Sequence, residues 1–312
     1  MYVFQVAGVI AASGNNGHGI SGVAWSGIKL IGCRVYFGQS EEKAASGVVT
    51  CLDFCQRQKA NITQNSFGTD PNRPFNQMMY DKYISFGTAG GLSFMAAGND
   101  GQTMLGFDFQ GFNANNYANN RNFPGPQPAG YAATPLGLKS MINVASMTKL
   151  EIKPNVYQIG PASYTGFGAP YVDLFAPGGE SLLYGQATML TVLGTKGSAW
   201  DKKNDDNNIT TDKVKTNNIT WDNAYYMSVT GTSFASPHVA GAAALVWAEY
   251  PQLTNAQVKS ILCSTASNSG IFTGPIGSGT NPNVPYSSYG VLNDAAAIAK
   301  ATKLKSGGAI TA

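Results

Sequence analysis

Apolar runs of strand length alternate along this chain with stretches of helical periodicity. Strands are predicted at IKLIGCRVYF (residues 28–37), NITQNSFG (61–68), LSFMAAGNDG (92–101), SMINVASM (140–147), YVDLFAPGG (171–179) and residues 189–192. Helices are predicted at residues 41–59, 77–90, 233–247, 254–266 and 292–303. Strands separated by helices are typical of a mostly parallel sheet covered on both faces. The pattern therefore predicts an α/β domain.

Two polar stretches interrupt this alternation. Residues 107–131 are rich in Asn, Pro and Gly, which predicts an irregular surface loop. Residues 195–223 contain NNITTD and NNITWD, two near-copies that suggest a small hairpin. Because strands and helices resume after each stretch, both are predicted to be insertions in a single domain that spans residues 1–312.

The composition excludes several classes of protein. Of the 312 residues, 43% are hydrophobic, which is enough to form a core. Only 12% are charged, which is too few for a disordered chain. The net charge of +3 includes no basic cluster, so neither nucleic acid nor a membrane surface is a predicted partner. The apolar N-terminal stretch is too short to span a bilayer and lacks a basic leader region.

The four cysteines leave two interpretations open. The preferred interpretation is that they are small buried apolar side chains, at Cys33, Cys51, Cys55 and Cys263. A bridge from Cys33 to Cys51 or Cys55 is the second, and it requires an exported protein. No paired cysteines with a nearby histidine support a zinc site.

Three glycosylation motifs favour export. Asn61, Asn208 and Asn218 each begin an Asn-Ile-Thr triplet, although an Asn-rich chain forms such triplets by chance. We therefore expect a secreted or lumenal protein.

The longest apolar helical pattern begins at a serine with small neighbours. The stretch reads VTGTSFASPHVAGAAALVWAEY, residues 229–250, and Ser233 stands at the start of the predicted helix. Gly231 permits a tight turn before it, and the first N–H groups of a helix favour negative charge. A nucleophilic serine also needs a base within hydrogen-bond reach. An ordinary core helix with a Gly-Thr-Ser start is the alternative interpretation.

Several segments in order resemble one family. GTSFASPHVAGAAAL (residues 231–245) resembles the serine motif of the subtilases, the subtilisin-like serine endopeptidases. FMAAGNDG (94–101), NSFG (65–68), YVDLFAPG (171–178) and SSYGVLNDAAAIA (287–299) resemble further segments of that family. The resemblance runs from about Val6 to Ala301. It implies a three-layer subtilisin-like α/β fold with a mostly parallel central sheet, and a peptide or protein substrate.

The resemblance also implies roles for individual residues. Ser233 would be the nucleophile and Asn99 the side-chain donor to the oxyanion. The implied substrate-binding residues are Ser66, Phe67, Gly68, Ala97 and Gly98. Ser66 and Gly68 would pair with an extended peptide through their backbones, and the other three would line an apolar slot. For Phe67, simple core packing is an equally open interpretation.

The other two members of the triad are missing from the sequence. In subtilases the order is Asp, His, Ser, with the Asp in an Asp-Ser/Thr-Gly turn, and that tripeptide is absent here. Residues 6–25 resemble the family segment that comes directly after the catalytic histidine, which leaves Tyr2 at the position of that histidine. We expect the chain to begin just after the base, without the first strands of the fold.

His18 and His238 are the two histidines of the chain. His18 precedes a loop rather than the small-residue helix that should come after a catalytic histidine, so it is a poor candidate for the base. His238 belongs to the serine motif and is interpreted as structural. In the family, the loop around Asn15 and Asn16 helps to hold calcium, but the other ligands would lie upstream. No cofactor is expected to be required, and calcium remains an option for the complete protein.

The missing strand predicts a gap between residues 28–37 and 61–68, or direct pairing of those two strands. The function expected of the complete protein is hydrolysis of peptide bonds through an acyl-enzyme on Ser233. The chain alone is expected to be inactive, and a further N-terminal segment or a propeptide is its expected partner. The alternative is a pseudoprotease that binds peptides without cutting them.

Overall fold

The computed structural model describes residues 2–17, 19–35, 41–67, 77–99, 139–153, 156–162, 164–167, 172–180, 189–195, 224–267 and 287–307. The helices are α1 (Tyr2–Ala11), α2 (Glu41–Arg57), α3 (Gln77–Thr88), α4 (Thr232–Glu249), α5 (Asn255–Ser264) and α6 (Asp294–Lys305). The strands are β1 (Ile62–Asn65), β2 (Leu92–Ala96), β3 (Met141–Lys153), β4 (Val156–Pro161), β5 (Leu174–Pro177), β6 (Met189–Thr195), β7 (Ala224–Val229) and β8 (Gly290–Val291).

The main sheet is parallel along most of its width. Its strand order is β1-β2-β3-β5-β8, and every neighbouring pair in that order is parallel. Strand β4 pairs antiparallel with β3, because it follows β3 in a hairpin. The predicted α/β class with a mostly parallel sheet is confirmed.

The period-2 alternation of the strands divides the core between the two faces of the sheet. Leu92 and Phe94 of β2 pack on the face covered by α4, α5 and α6. Met95, the next residue of β2, packs on the other face against α2 and α3. These side chains are buried completely or nearly so, which gives three layers with the sheet in the middle.

Helix α4 is the central helix of its layer, and its small residues allow close packing. It contacts β1, β2, β3 and β5 as well as α1, α5 and α6. A Cβ atom placed on Gly241 would lie 2.7 Å from the side chain of Val23, so the close approach of that segment requires glycine. In the part of the chain that the structure describes, no helix is long and apolar enough to cross a membrane.

The prediction of a buried strand at residues 28–37 is wrong. Residues 28–35 form neither strand nor helix, and the side chains of Leu30 and Ile31 are 53% and 40% exposed. A strand inside a sheet needs neighbours for its N–H and C=O groups. Among the described residues, β1 pairs with β2 alone, so the direct pairing of residues 28–35 with β1 is not formed either.

A disulfide fixes residues 28–35 instead. Cys33 is bonded to Cys51 of α2, with the two Cα atoms 5.9 Å apart. The preferred interpretation of four unpaired cysteines is therefore wrong for this pair. It holds for Cys55 and Cys263, which are buried free thiols.

The predicted insertions lie almost entirely outside the described residues, as do the two Asn-Ile-Thr copies around Asn208 and Asn218. The described strands β6 and β7, which precede and follow the second insertion, pair antiparallel. The sequence missed β4, β7 and β8, which lie in stretches without a clear period.

Candidate active site

The carboxyl ends of three parallel strands meet the N-terminus of α4. Strand β1 leads into Ser66, β2 leads into Gly98 and Asn99, and β5 leads into Gly178. Each of these segments is hydrogen-bonded to the turn that opens α4. The carboxyl edge of an open parallel sheet is where α/β proteins place their ligands.

Gly231 forms the turn that presents Ser233. Its φ of 145° lies in a region that only glycine adopts readily. Its N–H donates to Gly178 O at 3.0 Å, and its carbonyl accepts from the N–H of Phe234 at 2.9 Å. A Cβ atom on Gly178 would lie 2.7 Å from Gly231 O, so the close approach requires glycine at 178, while the backbone angle requires glycine at 231. Ser233 is then the second residue of α4 and is 6% exposed.

Hydrogen bonds with Thr232 fix the orientation of the Asn99 amide. Asn99 Oδ1 accepts from Thr232 N and from Thr232 Oγ1, both at 2.9 Å. The Thr232 hydroxyl accepts in turn from Gly98 N at 3.1 Å, so its proton points to Asn99. Because the oxygen of the amide is held on two donors, its NH₂ group remains as a donor beside the first turn of α4.

Ser66 is also brought to Ser233. Its hydroxyl donates to the backbone carbonyl of Ser233 at 2.7 Å. The neighbouring Phe67 packs against the core between α2 and α3, which agrees with the core-packing interpretation. Ala97 packs in a second apolar cluster with Phe167 and Phe175, at the end of β2. Gly68 lies outside the described residues.

The described residues bring no base to Ser233. Nδ1 of His238 lies 2.8 Å from the carbonyl of Phe234 in its own helix, and burial lowers the pKa of this imidazole. Within the described part of the chain, the Ser233 hydroxyl has no hydrogen bond to a histidine or a carboxylate. His18 is outside the described residues.

The loop around Asn15 and Asn16, which the family resemblance associates with calcium, lines an open cavity together with Gly14, Gly17 and Ser21. Asn15 has a φ of 56°, and the amide of Asn16 donates to Ser13 O at 3.1 Å. Calcium prefers six to eight oxygen ligands, usually with carboxylates among them. No cluster of three or more acidic, His or Cys side chains suited to a metal occurs among the residues described.

Two site residues were missed by the sequence analysis. Thr232 orients Asn99, and Gln64 donates from Nε2 to the hydroxyl of Ser66 at 2.8 Å. Both lie within one or two residues of a predicted site residue. The contact of Thr232 with Asn99 spans 133 positions, which no local pattern reveals, whereas Gln64 and Ser66 are only two positions apart.

A parallel sheet between helices, with a serine opening the central helix at the carboxyl edge of the sheet, is typical of α/β proteins with a serine-based site. The profile of the subtilase family, Peptidase S8, matches residues 4–291. The chain belongs to this family of serine-type endopeptidases, and the predicted resemblance is confirmed.

Individual relatives agree with this assignment. Alkaline elastase YaB of Bacillus sp. (strain YaB) is 28% identical over 268 residues, which is 85% of this chain and 50% of that protein. Subtilisin DY of Bacillus licheniformis is 60% identical over 45 residues, 14% of this chain and 16% of that protein. The chain thus spans half the length or less of these two relatives.

Solved structures show the same fold. A protease from Pseudoalteromonas arctica gives a TM-score of 0.56 at 22% identity, covering 95% of this chain and 70% of that one. Fervidolysin from Fervidobacterium pennivorans gives a TM-score of 0.56 at 20% identity, covering 95% of this chain and 35% of that one.

Proposed function

We propose that this chain carries the nucleophile and the oxyanion donor of a secreted or lumenal endopeptidase that hydrolyses peptide bonds. The observation that carries the proposal is the amide of Asn99, which Thr232 holds by its oxygen beside the turn that presents Ser233. The Cys33–Cys51 disulfide supports export, because structural disulfides persist in oxidising compartments.

In this mechanism, Ser233 Oγ attacks the carbonyl carbon of the scissile peptide bond. The carbonyl oxygen becomes an oxyanion and accepts hydrogen bonds from Asn99 Nδ2 and from the N-terminal N–H groups of α4. Collapse of the tetrahedral intermediate expels the amine and leaves an acyl-enzyme on Ser233. Water then attacks the ester and releases the acid.

The substrate would lie extended along the carboxyl end of β1. Backbone groups of Ser66 and Gly68 would pair with it as an added strand. Ala97 and Gly98 would line the slot for the residue before the scissile bond, and Phe67, which packs against the core between α2 and α3, would support it from behind.

The proton of the Ser233 hydroxyl requires an acceptor. We propose that the base and its orienting carboxylate come from a further polypeptide segment. This segment would carry two motifs of the family, the Asp-Ser/Thr-Gly turn and the His-Gly-Thr-His stretch that opens the helix of the catalytic histidine. Loss of the histidine or the serine costs roughly 10⁶ in turnover in subtilisin, so the chain alone should be inactive or nearly so. No cofactor is required by this mechanism, and any calcium would need ligands from that further segment.

The first test is peptide mapping of the native protein by mass spectrometry, followed by reaction with a fluorophosphonate probe. We expect peptides with both missing motifs and a label on Ser233 that is absent in the S233A variant. Cleavage of peptides by the chain as given, abolished by S233A, would show that the base lies inside it. Peptide binding without labelling would instead favour the pseudoprotease, the alternative supported by the absence of a base near Ser233 among the described residues.

A further inference from the structure

The carbonyl of Ser233 lacks its regular helical donor. In an α-helix, each carbonyl accepts from the N–H four residues further on. For Ser233 that residue is Pro237, which has no N–H. The proline ring also crowds the carbonyl of the residue four positions earlier and tilts it away from the helix axis. A buried carbonyl without a donor would destabilise the turn that presents the nucleophile.

Ser66 supplies the donor that Pro237 lacks. Its hydroxyl lies 2.7 Å from Ser233 O and comes from the end of β1, a separate layer of the fold. Gln64 Nε2 donates to the same hydroxyl at 2.8 Å. Since the amide occupies an acceptor site of the hydroxyl, the hydroxyl proton is directed to Ser233.

Strand β1 separates this chain of hydrogen bonds from a second polar network. Gln64 and Ser66 are two positions apart and lie on one face of the strand, towards α4. Thr63 and Asn65 lie on the opposite face, where Thr63 Oγ1 donates to Ser93 Oγ at 2.8 Å and Asn65 Oδ1 accepts from Tyr83 at 2.9 Å. The second network therefore offers a control in the same strand.

We propose that the side chain of Ser66, oriented by Gln64, is a positioning residue for the nucleophile, replacing the helical hydrogen bond that Pro237 removes. This inference deepens the proposed function, and the experiments below that measure the reactivity of Ser233 rest on that function. The backbone of Ser66 would pair with substrate while its side chain holds α4. One strand end would thus place both the peptide and the serine that attacks it.

Hydrogen exchange of the first turn of α4 tests the proposal without any catalytic activity. In S66A, the amides of Phe234 and Ala235 should exchange about two- to tenfold faster, the range expected for loss of one net hydrogen bond. S66T keeps the hydroxyl and should restore the wild-type rate. T63V, on the opposite face of β1, should leave these amides unchanged. Equal exchange in S66A and the wild type would overturn the proposal.

The P237A substitution tests whether Pro237 is the reason that Ser233 O needs the hydroxyl of Ser66. Alanine restores the N–H at position 237, so Ser233 O regains its helical donor. The effect of S66A on exchange should therefore be clearly smaller in P237A than in the wild-type background. An undiminished effect of S66A in P237A would show that Ser66 does not compensate for the proline.

In the native protein, which would include the base, the reactivity of Ser233 can also be measured. S66A should slow fluorophosphonate labelling of Ser233 about two- to tenfold, and in peptide hydrolysis should lower kcat with KM unchanged, because the backbone of residue 66 remains. T63V should keep the wild-type labelling rate, and an equal loss in T63V would mean a general structural effect and overturn the proposal. Failure of the unmodified native protein to label would refute the proposed function, while the exchange experiments would still decide the role of Ser66.

Discussion

The two ends of the parallel sheet use polar residues in opposite ways. At the amino end, Lys259 Nζ of α5 lies 3.4 Å from Asp173 Oδ1, and Asp173 Oδ2 accepts from Asn143 N at 2.8 Å. Lys259 also donates to Met141 O, so the pair ties α5 to β3 and to the start of β5. At the carboxyl end, Asn99 and Ser233 each use one polar atom for structure and keep another for chemistry.

This difference separates stability from reactivity. The charges at the amino end satisfy one another and the ends of the strands, so removing one of them should lower the stability of the protein without altering a site. At the carboxyl end, Asn99 Oδ1 and Ser233 O are held by Thr232 and Ser66. The remaining atoms, Asn99 Nδ2 and Ser233 Oγ, are those that the proposed reaction uses.

The largest expected effect is on the ion pair at the amino end. K259M leaves Asp173, whose side chain is 8% exposed, without its counter-charge, and should lower the free energy of unfolding by about 3–5 kcal/mol. Urea denaturation measures this change. The double variant K259M/D173L removes both charges and should recover much of the loss. If K259M lowers the free energy of unfolding by less than about 1 kcal/mol, the pair contributes no more than a surface salt bridge. The contrast between a stabilising amino end and a reactive carboxyl end of the sheet would then be wrong.

The next effect is on reactivity at the carboxyl end. N99D keeps the oxygen that accepts from Thr232 but replaces the Nδ2 donor with a second oxygen. We expect the rate of acylation of Ser233 in the native protein to fall at least 10²–10³-fold, the cost of removing such a donor in subtilisin. A stopped-flow assay with a chromogenic peptide ester measures the rate.

The matched variant for N99D is T232V, which removes the hydroxyl and leaves the backbone N–H on Asn99 Oδ1. It should reduce the acylation rate less than N99D, since the donor is still present and only less firmly held. A wild-type rate in N99D would refute the role of Asn99.

Much of the fold could be predicted because period and length are local properties of the sequence. The mostly apolar run LSFMA forms β2, and the small-residue stretch after Ser233 forms α4. The apolar run at residues 28–37 has the same local signal, yet residues 28–35 form no strand. Whether such a run becomes a strand depends on a neighbour to pair with, and the run itself does not encode that neighbour.

The site could be predicted only at residues that belong to a recognisable sequence motif. Ser233 and Asn99 stand in recognisable segments, and the structure joins those segments through Thr232. The hydrogen bond from Ser66 to Ser233 spans 167 positions and depends on the register of β1 beside α4. Pro237 was the available signal, because a proline four residues after a helical serine leaves a carbonyl that something else must satisfy.

The smallest expected effect is on the pH dependence of stability, through His238. It tests whether this residue of α4 has a structural role. Burial lowers its pKa below the unfolded value of about 6.5, so the unfolded chain binds more protons as the pH falls through that value. Stability is therefore complete above about pH 6.5 and declines below it, by at most about 1.4 kcal/mol per pH unit for this one group. In H238N, whose amide can take the place of Nδ1 on Phe234 O, this part of the acid slope should disappear from urea denaturation curves at pH 5–7. H18N is the matched control. A slope that persists in H238N but vanishes in H18N would assign the acid sensitivity to His18, whereas the expected result gives His238, five residues after Ser233, a structural role in α4.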